Sequence, residues 1–362
     1  ILKNKTLIIF SEISWNFLIQ RHHFLANYFS EKYKKVIFVE RVISRIPSLN
    51  ETFRILFNSE RENSTNERNP KIKYLRSLFL PNNNIFFEIW NIVYWNLFWK
   101  KLQFDADIYT FSDNPYVAGG TKKNLPSSNK LVFDIIHNWW NFPWDQNTHT
   151  KNLSKIIEMS DYVLSDSLGT YNLVNHSCKK LIPPGVSSHW FEKYDEVHES
   201  EKIQLIFFGN LRGNSDLKLL KELANHEGIE LSIYGRIDQS VNDQVFEKCF
   251  RGSVNNALLP EIISKYHGIV IGYNEAEFSK SISPAKFYES MATGKPIFSR
   301  SDLLHLPEWK KFVYKISLEE SLLNQITKSL SVHNQRKEEQ VEVAKTHLWE
   351  NRFRMIEELL NE

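Results

Sequence analysis

The chain has 362 residues, 42% of them hydrophobic and 24% charged, which suffices for two domains that each bury a core. A formal net charge of +2, with no zinc-finger spacing and no aromatic RNP-type motif, excludes a strongly basic nucleic-acid binder and leaves no nucleic acid among the expected partners. Two cysteines, Cys178 and Cys249, stand far apart without ligand spacing; this argues against a disulfide framework or a zinc site and fits a reducing cytoplasm.

The opening run "ILKNKTLIIFSEISW" turns polar too soon for a signal peptide, and a start at Ile1 rather than methionine reads as trimmed. "TLIIFSE" (6–12) predicts a buried strand, followed by a helix through "FLIQRHHFLANYFSEKY" and a strand at "KVIFVE" (35–40). Residues 58–70, "NSERENSTNERNP", are polar enough for a mobile loop. Strands are expected at "DIYTFS" (107–112), "KLVFDII" (130–136) and "YVLSDS" (162–167), with helices at 85–101 and 150–159.

After the charged stretch "EKYDEVHESEK" (192–202) the alternation restarts. "IQLIFFGN", "IELSIYG", "GIVIGY" and "PIFSR" predict strands, and "SDLKLLKELANH" and "ALLPEIISKY" predict helices between them. Alternation of this kind predicts an α/β protein with two doubly wound, Rossmann-like domains, 1–195 and 202–345. Ligands of such sheets bind beyond the carboxyl ends of the strands, so two domains face to face would share one cleft.

"SPAKFYESMATGKP" (283–296) carries the most specific chemistry. Ser283, Pro284 and Ala285 start a helix with free backbone N–H groups, and Lys286 and Glu289 share one of its faces. A lysine at a helix N-terminus binds an anion, and a carboxylate one turn later can grip a pair of hydroxyls. Phosphate beside a diol describes a nucleotide.

These residues resemble the donor-site helix of GT-B glycosyltransferases that build bacterial surface polysaccharides, of the glycosyltransferase group 1 and xanthan glucuronosyltransferase types. "LIFFGNLRGNSDLKLLKELA" is similar to the first strand–loop–helix of their donor domain. "CFRGSVNNALLPEIISKYHGIVIGY" resembles the segment framing the base, and "IPPGVSSHWF" the hinge element. "THLWENRFRMIEELL" (346–360) resembles the final helix, which in the family crosses back to the first domain.

The resemblance implies a nucleotide-sugar donor, with UDP favoured, as a substrate rather than a cofactor, and a glycan or lipid-linked acceptor. It implies no metal: Lys286 and Arg212 would take the charge of the leaving diphosphate. Gly209, Asn210, Gly235, Arg236, Val254 and Tyr273 would line the donor site, with Glu289 on the ribose. Two departures stand out. A first glutamate common in retaining members is replaced by Ser281, with Glu275 and Glu277 near it, and His137 holds the place of a catalytic aspartate. His137 has the intrinsic pKa of a base for an inverting reaction, towards which the missing glutamate also points.

On the acceptor side, Trp15, Arg21, His22 and Trp139 are the candidates. "IFFEIWNIVYWNLFWKKL" (85–102) has two readings, a core helix or a helix lying on a membrane surface. With "KIKYLRSLFLP" before it, the second reading gives peripheral contact with the cytoplasmic face of the inner membrane through 71–101. Rival readings of the whole chain are a sugar-nucleotide epimerase of the same fold and a non-catalytic partner subunit.

Overall fold

The computed structural model describes residues 2–43, 67–103, 105–136, 138–141, 146–192, 194, 200–238, 240–241, 243–274, 283–301 and 307–362. The expected loop at 58–70 falls mostly outside them, as do His137, Glu275, Glu277 and Ser281. Two compact units divide the chain, Ile1–Pro183 with Arg352–Glu362 and Pro184–Asn351. Their boundary falls at Pro183/Pro184, ahead of the charged stretch 192–202.

Among the described residues the first unit holds a seven-stranded parallel sheet in the order β3-β2-β1-β4-β5-β6-β7. Its strands are β1 Thr6–Phe10, β2 Lys35–Glu40, β3 Ile72–Arg76, β4 Ala106–Thr110, β5 Leu131–Ile135, β6 Tyr162–Ser165 and β7 Lys179–Leu181. The central strands are buried on both faces, which is why they read as continuous apolar runs. β3, with alternating basic residues, and the three-residue β7 lie at the edges, where a strand buries too little to leave that signature.

The helix at 85–103 has one face in the core and an apolar face that is exposed. It begins as α-helix at Ile85–Tyr94, widens into a π-turn at Trp95–Trp99 and closes as α-helix at Lys100–Gln103. Tyr94, Trp95 and Trp99 join the first unit's core against Phe10, Phe79 and Ala118. Asn91 is fully buried, and its side chain binds both the N–H and the carbonyl of Leu80. The opposite face is apolar and open: Phe86 is 78% exposed and Leu97 69%, with Ile89, Trp90 and Phe98 beside them. No helix of the described residues is long and apolar enough to cross a membrane.

The second unit holds a six-stranded parallel sheet among the described residues, in the order β10-β9-β8-β11-β12-β13. The strands are β8 Ile203–Phe208, β9 Ile229–Tyr234, β10 Phe250–Gly252, β11 Gly268–Val270, β12 Ile297–Ser299 and β13 Val313–Lys315. The edge strands β10 and β13, three residues each, had no sequence signature. One face of the sheet packs on the amphipathic helix Leu217–Asn225, the other on Ala285–Ala292. The last helix, Trp349–Asn361, contributes its residues from Arg352 onward to the first unit. There the Tyr28 hydroxyl donates to Glu357 at 2.6 Å and the Tyr162 hydroxyl to Glu362 at 3.1 Å.

Candidate functional site

The order of the second sheet reverses between β8 and β11, so the chain leaves their carboxyl ends in opposite directions and opens a crevice there. The donor-side candidates stand around it. β8 ends at Gly209, whose N–H donates to the Tyr234 carbonyl at 2.8 Å. β9 ends at Gly235, where a Cβ would meet the Gly209 carbonyl oxygen at 2.1 Å. Gly235 also has φ +142°, so only glycine fits this contact, and the two strand ends are pressed into one turn surface.

Above that surface lies the helix Ala285–Ala292. Pro284 occupies its cap position, one residue later than the sequence placed the start, and the Ser283 hydroxyl is engaged with the Tyr288 hydroxyl at 3.0 Å instead of capping. Gly294, at φ +67°, ends the helix in the left-handed conformation that a side chain would strain. Lys286 and Glu289 follow in its first turns, half-buried on one face.

Lys286 reaches back over the sheet. Its ammonium lies 3.5 Å from the Phe208 carbonyl and 3.5 Å from where a Gly209 Cβ would stand, so glycine there leaves it room. Two aromatic faces hold it, with ring centroids at 4.4 Å for Phe207 and 4.7 Å for Tyr273. Burial lowers its pKa to about 8; Glu289 opposes that shift and Arg212 adds to it. Glu289 is pushed up to about 7, again by burial, against the pull of Asn256 and Lys286. Tyr273 is raised by burial and by Glu289, with Arg212 opposing. The crevice therefore contains a lysine and a carboxylate that both titrate within about a unit of neutrality, a spacing of pKa values that marks functional sites.

The loop after β8 frames the other side. The Arg212 N–H donates to the Ser215 hydroxyl at 3.1 Å, while its guanidinium side is exposed. Asp216 is buried, caps the helix Leu217–Asn225 through the Leu219 N–H and receives Arg300 on both oxygens, at 2.6 and 3.1 Å. Asn210 is half-buried beside Gly209; Arg236 is exposed, and its carbonyl accepts from the Leu211 N–H. Val254 packs at the margin of the core below the helix Ala285–Ala292.

Two residues here had no clear signal in the sequence. The Asn256 amide donates to Glu289 Oε1 at 3.3 Å, and its other end meets His189 Nε2 at 3.2 Å. Only the double asparagine Asn255–Asn256, whose first member caps the short turn Asn256–Leu258, marks the place in the sequence.

The first unit treats its candidates differently. Trp15 is buried against His23, Phe38 and Tyr74 and donates to the Glu67 carbonyl at 3.2 Å. Trp139 is buried and stacked on His149, which binds Asp113 at 2.6 Å. His22 is buried with its ring 3.8 Å from that of Phe111. Arg21 is 5% exposed: its Nε binds Asp134 at 2.7 Å and its Nη1 the Ile182 carbonyl at 2.6 Å. The Tyr109 hydroxyl donates to the same Asp134 oxygen at 2.5 Å.

No family model and no curated protein matches the sequence. Solved structures do. The apo form of the lipopolysaccharide outer core galactosyltransferase WaaB matches 96% of this chain over 98% of its own, at a TM-score of 0.62 and 13% identity. Anabaena HepE in complex with UDP and glucose matches 98% over 99%, at 0.63 and 10%. The E. coli trehalose-6-phosphate protein bound with UDP-2-fluoro glucose matches 99% over 99%, at 0.61 and 10%. These neighbours are GT-B glycosyltransferases, and at such identities the likeness is one of fold: this chain has the GT-B α/β fold.

Proposed function

We propose that the chain is a glycosyltransferase that takes a sugar from a nucleotide-sugar donor and passes it to a glycan or lipid-linked acceptor of bacterial surface-polysaccharide synthesis. The observation that carries the reading is the Lys286/Glu289 pair on the helix above the β8–β11 switch point. An ammonium held at a helix N-terminus, between two aromatic faces and over a glycine turn, suits a diphosphate. The carboxylate one turn on suits the ribose diol. UDP is the favoured donor nucleotide, because HepE, similar over 98% of this chain, is a complex with UDP.

In this proposal the donor's diphosphate lies against Lys286, the Ser283–Ala285 backbone and the Gly209 turn, with Arg212 closing over it. As the glycosidic bond breaks, negative charge grows on the leaving phosphate, and Lys286 and Arg212 stabilise it without a metal ion. Tyr273 braces Lys286 from the side, Gly235 and Arg236 border the sugar and the base, and Val254 backs the base. His137 follows β5 in sequence and serves as acceptor base if the reaction inverts. Trp15, Arg21, His22 and Trp139, all buried, support the acceptor side from behind. The exposed apolar face of 85–103, with Lys100 and Lys101 at its end, gives the chain peripheral contact with a membrane that carries the acceptor.

Titration calorimetry tests the carrying observation. Lys286→Ala should weaken UDP binding by about 1.5–3 kcal/mol, the worth of a hydrogen bond to a charged group, and leave uridine binding unchanged. Equal UDP affinity in variant and parent overturns the assignment.

A further inference from the structure

Glu289 accepts from both hydroxyls of a diol by charge-assisted bonds only as a carboxylate, yet burial drives it towards the neutral acid. Its hydrogen-bond partner comes from another element, the short turn Asn256–Leu258. The amide of Asn256 can be oriented in one way. An ionised carboxylate accepts only, so the Asn256 group facing Glu289 Oε1 is Nδ2, and Oδ1 faces His189. His189 Nε2 must then carry the proton that it donates to Asn256. Both the neutral tautomer protonated at Nε2 and the imidazolium satisfy that bond, so the chain His189–Asn256–Glu289 keeps its direction in either form.

We infer that Asn256, held in orientation by His189, is a positioning residue that favours the carboxylate form of Glu289 and aims it at the donor's ribose hydroxyls. It fixes one oxygen and leaves Oε2 and the second lone pair of Oε1 for the ligand. The inference rests on the proposal that Glu289 meets the ribose. Among the described residues, the other charged and titratable groups around Glu289 are Lys286 on its own helix, which favours the carboxylate, and Tyr273 just beyond β11; Arg212 acts on both of those. None of them makes the hydrogen bond that Asn256 makes.

The test combines carboxyl-carbon NMR of the labelled glutamates with calorimetry of UDP and of 2′,3′-dideoxyuridine diphosphate from pH 6 to 9. Asn256→Ala should raise the Glu289 midpoint by about one pH unit and weaken UDP about fivefold at pH 7. That deficit should close towards pH 9, where Glu289 is ionised in both proteins, and the dideoxy nucleotide should bind variant and parent alike. Asn256→Asp, which sets a second carboxylate beside the first, should raise the midpoint further. His189→Ala should act in the same direction and less strongly, and His189→Gln, which retains a donor, should restore the parent's profile. A parent that discriminates the two nucleotides, with an Asn256→Ala midpoint and discrimination unmoved, overturns the inference alone. A parent that binds both nucleotides alike overturns the ribose reading of Glu289 and the inference with it.

Discussion

Each parallel sheet gathers cations and carboxylates near its carboxyl edge, and the two groups are wired in opposite ways. In the first unit Arg21, Tyr109, Asp134 and Asp166 close on one another. Arg21 donates to Asp134 and to a carbonyl, Tyr109 donates to Asp134, these three are buried, and Asp166 stands half-buried beside them. In the second unit Lys286 turns to a carbonyl and two rings while Glu289 turns to Asn256. A cation that is satisfied by a neighbouring carboxylate holds structure together; one that is dry, half-open and partnered by rings and a carbonyl is available to an anion. Similar residue types at similar places in two similar sheets thus serve packing in one and binding in the other.

The sharpest way to break this contrast is to remove the cation on each side. Arg21→Ala leaves the buried Asp134 without its ion-pair partner, and should cost about 3–5 kcal/mol of folding stability. Denaturant melts followed by tryptophan fluorescence would report it, since Trp15 and Trp139 lie in this unit. A loss under about 1 kcal/mol would mean that the cluster opens to water.

Lys286→Met should do the reverse. The folded pKa of about 8 lies below the ordinary lysine value of 10.5, so the folded state disfavours the charged form. Below pH 8 folded and unfolded chains both carry the proton, and the full cost of burying it is present. Between pH 8 and 10.5 the unfolded chain binds more protons than the folded one, so the parent gains stability as pH rises. The variant should therefore be more stable than the parent by about 1–2 kcal/mol at pH 7, and the two should converge above pH 10.5. A variant less stable than the parent at pH 7 would show Lys286 to be structural, like Arg21. The same pKa makes UDP affinity in the parent fall as pH rises beyond about 8, because a diphosphate requires the protonated amine.

What could be read in the sequence follows from the range of each interaction. The central strands and the pair Lys286/Glu289 are local patterns: apolar runs of about five residues, or two side chains one helical turn apart. Edge strands such as β10 and β13 are too short to carry a period, and β3 looked like a basic, aromatic surface segment because its partner strand β2 supplies what its own residues do not. The distinction between Arg21 and Lys286 was invisible, since it depends on Asp134, 113 residues away from Arg21. His189 and Asn256, 67 residues apart, were missed for the same reason. Trp15 and Trp139 carry ring-stacking chemistry in any sequence; only the tertiary structure shows that His23, Phe38 and Tyr74, or His149, already occupy those rings.

The smallest expected effect probes how completely the first cluster is closed. Asp166 is pushed up to about 7, first by burial and then by Asp134, while Arg21 and a hydrogen bond from Ser167 oppose the shift. One arginine serves two carboxylates, so the second is held near its neutral form. For a carboxyl group whose folded pKa is raised, the unfolded chain loses its proton first, near pH 4, and the folded chain follows near pH 7. Between those values the folded state binds more protons than the unfolded one, and stability falls as pH rises. Asp166→Asn keeps an oxygen that accepts from Ser167 and carries no charge. It should lie below the parent at pH 4 by the pH-independent cost of the amide's unmatched donors, about 1–3 kcal/mol, then gain on it through pH 7 and level off above. Thermal melts of both proteins at pH 4, 5.5, 7 and 8.5 would trace the curve. A flat difference across that range would mean that water reaches Asp166, and the contrast between the two units would then rest on Arg21 and Asp134 alone.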